Sequence, residues 1–188
     1  MTPCTTKLMT KPTKLACLSV AFTLILATGC TSKTAPTPEN YTQTLNAWFL
    51  EHSDCLFPDS PHFPFETTDP VKTRQMDSLV TGQLLARTTE PALHESRYTI
   101  TDVGARYAPR FCYGHRQVTS IDSSTPPAVA NGFPETQVTF HYTYMDVPVW
   151  AKSAAVEAAF PAMGQAITNG GAATRTLART MAGWQVPD

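Results

Sequence analysis

The chain has 188 residues, 42% of them hydrophobic, with 14 basic side chains against 15 acidic ones. That is enough apolar material for one core of ordinary size. A net charge of −1, more acidic still once the three leader lysines are set aside, offers no cationic footprint of the kind that a nucleic-acid backbone or anionic lipid heads require. The first thirty residues carry Lys7, Lys11 and Lys14 and no acid, then turn apolar over residues 15–26. An apolar run of about a dozen residues falls short of the ~20 that a membrane-spanning helix needs. It fits the central region of a secretory signal peptide, here residues 1–29.

The leader closes on Ala27-Thr28-Gly29-Cys30, which resembles the lipobox of bacterial lipoproteins. One departure is Ala27, where that family carries Leu, Val or Ile; the leucine, Leu26, stands one place earlier. Ala27-x-Gly29 also satisfies the ordinary small-residue cleavage pattern. The resemblance implies that Cys30 becomes the first residue of the mature protein and carries the lipid. Two or more acyl chains hold a protein stably on a leaflet. It further implies a periplasm-facing location, and Thr31 in place of an aspartate favours the outer over the inner membrane.

Of the 188 residues, 29 leave with the leader and 159 remain. The leader also takes three of the 14 basic residues, so 11 face 15 acids, a net charge of −4. Five cysteines are present. Cys4 and Cys17 leave with the leader and Cys30 takes lipid, so only Cys55 and Cys112 remain. In an oxidising compartment that pair is most simply a disulfide, the alternative being two buried thiols. A bridge closing nearly sixty residues contributes ~4 kcal/mol through the unfolded chain.

Residues 30–38, the lipidated cysteine and a Thr/Pro-rich run, read as a flexible tether. Residues 39–188 read as one globular domain, with a helical and wing half at 39–110 and a sheet and helix half at 111–188. Thr37-Pro38-Glu39 is a helix start, and Tyr41, Leu45, Trp48 and Phe49 share one face of a helix ending near His52. Residues 55–68 hold three prolines and three phenylalanines and read as a pinned loop. Asp69-Pro70 caps a second helix with Met76, Leu79 and Val80 inward and Gly82 as its stop. Leu84-Leu85 starts a strand that returns over residues 97–101, around a loop at 88–95.

Residues 111–121 read as a strand, broken by Pro126-Pro127 and the Asn131-Gly132 turn. Residues 135–146 form the strongest strand: Val138, Phe140, Tyr142 and Tyr144 on one face, Thr139, His141 and Thr143 on the other. Asp146 is expected to cap a helix over 148–160 with Trp150, Ala154 and Ala158 buried. Residues 162–173, small and glycine-containing, read as a mobile loop. A closing hairpin joins 174–180 to 184–186. The fold class is α+β: a winged-helix-like first part, then an antiparallel sheet with one packed helix.

The stretch 71–107 resembles the second half of a winged-helix module: a helix, Gly82-x-Leu84-Leu85, a wing, then Tyr98-Thr99-Ile100-Thr101-Asp102-x-Gly104. DNA binding does not follow, because the corresponding helix has Asp77 at its middle on a net-acidic chain. More broadly, residues 45–187 resemble a group of small bacterial lipoproteins of unassigned activity. The likeness rests on the set Cys55-Leu56, Gly82-x-Leu84-Leu85, Tyr98-Thr99-Ile100-Thr101-Asp102-x-Gly104, Phe111-Cys112-Tyr113-Gly114, Thr143-Tyr144, Asp146-Val147-Pro148-x-Trp150-Ala151 and Gly183-Trp184. It implies fold and location and brings no reaction.

Candidate chemistry is sparse. His52, Cys55 and His62 lack the second cysteine pair of a closed zinc site. No Gly-x-Ser-x-Gly, Ser-x-x-Lys or His-Glu-x-x-His occurs. No catalytic, cofactor or metal residue is assigned. The expectation is a non-enzymatic envelope lipoprotein, held to the membrane by lipid, that binds another envelope component, most simply a protein. The alternatives are an envelope hydrolase built near His115 and His141, or an inhibitor of a wall-degrading enzyme.

Overall fold

A computed structural model describes residues 32–90 and 95–187; the expected signal peptide over 1–29, Cys30 and residues 91–94 of the expected wing loop lie outside the described residues. Thr37-Pro38 starts helix α1, Pro38–Glu51, with the Thr37 hydroxyl accepting the Asn40 N–H. The i, i+4, i+8 face is fully buried at Tyr41, Leu45 and Phe49, while Trp48 is half-buried. Two short strands follow, β1, Asp54–Cys55, and β2, Phe65–Thr67. They interrupt the proline-rich loop without extending it. Helix α2, Pro70–Thr81, is capped by Asp69, whose Oδ1 accepts the Val71 N–H at 2.7 Å, and ends at Gly82.

Strands β3, Leu85–Glu90, and β4, Glu95–Ile100, pair as a hairpin, and β2 adds to the far edge of β4. Both hairpin strands run further into the expected 88–95 loop than the sequence suggests, because Thr88 and Thr89 pair with Arg97 and Ser96. A 3-10 turn, Gly104–Arg106, follows. Gly104 is required there by close approach, since a Cβ would overlap the Leu84 carbonyl. The second sheet contains β5, Cys112–Ser124, β6, Ala128–Ala130, and β7, Phe133–Met145. It is completed by β8, Gly171–Thr180, and β9, Gly183–Gln185. Its order is β1-β5-β7-β8-β9, all antiparallel, with β6 paired to the start of β7.

Two cores result. On the large sheet, Tyr41, Leu45 and Phe49 of α1 pack against Val118, Val138, Phe140, Leu177 and Trp184. Around the three-stranded sheet, Met76, Leu79, Leu84, Leu85 and Tyr98 join Phe111, Trp150, Val156, Phe160 and Met163. The described residues from Ser32 onward nevertheless make one compact unit. The structure is therefore mixed α+β with a large antiparallel sheet.

Four expectations are corrected. Residues 148–160 are not one helix. A 3-10 turn, Val149–Lys152, stops at Ser153, which turns extended and caps α3, Ala154–Ala159, by accepting the Val156 N–H. The buried stripe is accordingly Trp150, Ala151, Val156 and Phe160, with Ala154 and Ala158 exposed. Asp146 caps nothing: it sits at φ 55 in the turn after β7, with a largely exposed side chain. Residues 162–173 are ordered as α4, Pro161–Asn169, and the start of β8. Their glycines serve approach rather than mobility. At φ 65, a side chain on Gly170 would run into the Tyr142 carbonyl.

The tether is the fourth. From Ser32 onward it is bonded to the domain, because the Ala35 carbonyl accepts from both the Trp184 indole N–H at 3.0 Å and the Asn40 amide at 2.8 Å.

Candidate functional site

Sequence reasoning offers Cys55, Cys112, His115 and His141 as residues to locate. Cys55 and Cys112 face one another across the β1–β5 pair and are joined by a disulfide. His52 stacks on Trp48 at 4.0 Å and spends Nδ1 on the Trp48 carbonyl. His62 is exposed. Among the described residues no group of three or more His, Cys, Asp or Glu is arranged to hold a metal ion.

His115 and His141 do not converge. His115 lies opposite Met145 and His141 opposite Ser120, four residues apart along β7, or ~13 Å at the rise of a strand. Each has its own acid. Asp146 stands 3.6 Å from His115 and is mostly in solvent, whereas Asp122 bonds His141 Nδ1 at 2.9 Å. Ser120 completes the second cluster, with Oγ 3.3 Å from Oδ1, one of the two Asp122 oxygens that His141 Nδ1 reaches. The order is wrong for hydrolysis. A nucleophile must touch the histidine base, with the acid behind it, and here the acid sits between the two on an open sheet surface.

The most connected polar group lies beside the disulfide. Asp54 accepts from Arg116 at both oxygens, Nε at 2.8 Å and Nη2 at 3.0 Å, and from the Tyr144 hydroxyl at 2.9 Å. The guanidinium also lies 4.8 Å over the Tyr142 ring, and Tyr113 packs on Tyr144. Burial pushes the Tyr144 phenol well above its ordinary range, and the Asp54 carboxylate pushes it further. Tyr113 moves the same way for the same two reasons. Burial alone would lower the Arg116 pKa, but the Asp54 hydrogen bonds and charge outweigh it and raise it. Neither phenol can act as a base near neutrality. The network instead clamps β1 to β5 and β7, one residue from the bridge.

What the surface offers is an uncharged groove. A cleft of about 610 Å³ is lined by Leu84, Val103, Tyr107, Val147, Val149 and Trp150, with Thr81 to Gln83 and Ser153 along its rim. No charged side chain lines it. The 3-10 turn after Pro148 builds its wall, since successive residues there point ~120° apart. Trp150 goes inward, 7% exposed, and Val149 outward, 88% exposed. Val103, just before the Gly104–Arg106 turn, also lines it and is 49% exposed. Tyr107 meets Trp150 edge-on at 5.7 Å. The buried Trp150 indole N–H has no partner among the described residues. Groove chemistry of this kind recognises apolar matter and offers nothing to orient an ion.

The sequence points to Trp150 as core and passes over Val149, although the signal was present. In Val147-Pro148-Val149-Trp150 a proline-initiated turn cannot bury two neighbouring large side chains together. No protein-family model, curated protein or solved structure matches the chain.

Proposed function

We propose that this chain is a cell-envelope lipoprotein, anchored through Cys30 and facing the periplasm, more fittingly on the outer than the inner membrane. Its work is non-enzymatic: it presents the uncharged groove to an apolar segment of a protein partner. The leader and Gly29-Cys30 support the location, as does the Cys55–Cys112 bridge, which belongs to oxidising compartments. The binding reading is carried by one observation. Val149 and Val103 both stand exposed in the lining of a cleft that has no charged side chain.

The α2–β3–β4 unit with β2 at its edge serves as a winged-helix-like scaffold for one wall of that groove. Its strand, helix, strand, wing, strand order supports this. Against a full module, α1 packs on the other sheet. In this reading the unit holds a surface in place and reads no nucleic acid.

In-cell photocrosslinking tests the proposal. A benzophenone side chain at position 149 or 103 should yield one discrete adduct, and the same probe at exposed Val71 should yield none. Val149→Asp removes apolar contact from a side chain 88% exposed. It should leave the melting temperature nearly unchanged while abolishing the adduct formed from position 103. Clickable palmitate should label the chain and fail to label Cys30→Ser. A labelled chain that gives no adduct from either position refutes the binding role.

A further inference from the structure

The two ends of β7 differ in character. Val147 to Trp150, the wall of the groove, follow its last residue, Met145. The opposite end is where the chain enters the domain. There the Lys33 backbone packs on Gly183, and the Trp184 indole holds the Ala35 carbonyl. Gly183 pairs with Thr180 across the β8–β9 turn. Glu135 pairs with Ala178, and continuing that register brings Phe133 level with Thr180. Two hairpin tips therefore project together beside the entering chain.

Both tips carry apolar side chains in solvent. Met181, between β8 and β9, is fully exposed. Val129 and Phe133 flank the Asn131-Gly132 turn of the β6–β7 hairpin and are 78% and 49% exposed. The hairpins need none of the three for their packing, and a turn is normally polar. Exposed Lys33 and Arg179 stand on the same end. The one acid at the β6–β7 tip, Glu135, accepts from the Asn131 amide at 3.1 Å.

We infer that this end is a lipid-contacting surface: Val129, Phe133 and Met181 enter the headgroup–acyl boundary of the leaflet that holds Cys30. The inference rests on the anchor reading above. Its occupant follows from chain length. Cys30 is two residues before Ser32, and two residues reach at most about 7 Å in any conformation. A lipid there places bilayer within contact of the tips at very high effective concentration. Three apolar side chains, too few to hold a free domain on a membrane, are then enough to orient a tethered one.

Methionine oxidation tests it, with a control already in the molecule. Met145, 43% exposed, stands at the far end of β7, while Met181 is fully exposed. The acylated full chain in phosphatidylethanolamine–phosphatidylglycerol vesicles is treated with chloramine-T, a charged oxidant that does not enter the bilayer. Sulfoxide is then read peptide by peptide. Exposure alone makes Met181 the faster site; the inference expects it at least ~5-fold slower than Met145, because a lipid-covered thioether is out of reach. The same digest weighs the Cys30 peptide. An unmodified Cys30 overturns the anchor and this placement with it. An acylated Cys30 with Met181 oxidised faster than Met145 overturns the membrane contact alone. Protection in native envelopes that vanishes in pure lipid vesicles assigns the tips to a protein and also overturns it.

Discussion

Replacing both bridge cysteines by serine gives the most quantitative check on how this fold is held. The bridge joins residues 57 apart in sequence. In the loop-closure treatment, cross-linking that many residues removes ~14 cal/mol/K from the unfolded chain, or about 4 kcal/mol at room temperature. For a domain of this size each kcal/mol moves the melting temperature by roughly 2–4 °C, so the double variant should melt about 8–16 °C lower. The native corner should survive, because Asp54 and Arg116 clamp the same strands beside the bridge. The loss therefore sits in the unfolded state, and groove crosslinking at low temperature should persist. Thermal scans of the full chain, followed by both tryptophan fluorescence and circular dichroism, measure it. A drop under about 3 °C would show that the bridge constrains little in the unfolded ensemble. Loss of crosslinking at low temperature would show that it holds the native corner directly.

Asp54→Asn keeps the shape of the clamp and removes its charge. It leaves a guanidinium only 23% exposed without its anion, which should cost about 2–3 kcal/mol, below the range for a fully buried pair; denaturant midpoints at pH 7 read it. Alkaline stability follows from the phenols. Tyr41, Tyr98, Tyr113 and Tyr144 are all held above their ordinary value of 10.0, chiefly by burial. The unfolded chain loses those protons first, so the stabilisation is complete below pH 10 and declines as pH rises beyond it. Urea midpoints at pH 9 and pH 11 should differ in that direction, and equal midpoints would contradict it. Gly170→Ala places a methyl group against the Tyr142 carbonyl at positive φ and should destabilise by at least ~2 kcal/mol. An unchanged melting temperature would mean that the α4–β8 junction relaxes freely.

Both long helices were legible because their ends are written locally. Asp69 and Thr37 each precede a proline and cap through their own side chains, and the i, i+4 spacing of Tyr41, Leu45 and Phe49 is unambiguous. The alternation of residues 138–144 likewise announced β7. Where tertiary neighbours decide the conformation, the local sequence does not show it. Ser153 looks like an ordinary residue of an alanine-rich helix until its hydroxyl is needed at a new helix start. Gly170 signals mobility in isolation, but here the Tyr142 backbone leaves no room for a side chain. His115 and His141 belong to one sheet in any reading, yet only the β5–β7 register shows them separated and matched to different acids.

The register also constrains how such a molecule would work from a membrane. With residues 32–37 bonded to the domain, a lipid on Cys30, as proposed, would stand only two residues of chain from Ser32, and the domain would not range as it would on a long linker. Strand β7 runs 13 residues from the end where the chain enters the domain toward the groove, or about 40 Å at the usual rise. On the proposed anchoring, with β7 standing along the membrane normal, a partner bound in the groove would offer its apolar segment at that height above the leaflet. Inserting a flexible Gly-Ser spacer after Thr31 releases the height constraint without altering any groove residue. Adduct formation from position 149 should then fall several-fold as the local concentration spreads over a larger volume. An adduct yield indifferent to spacer length would mean that the partner diffuses freely and that the short link serves some other end.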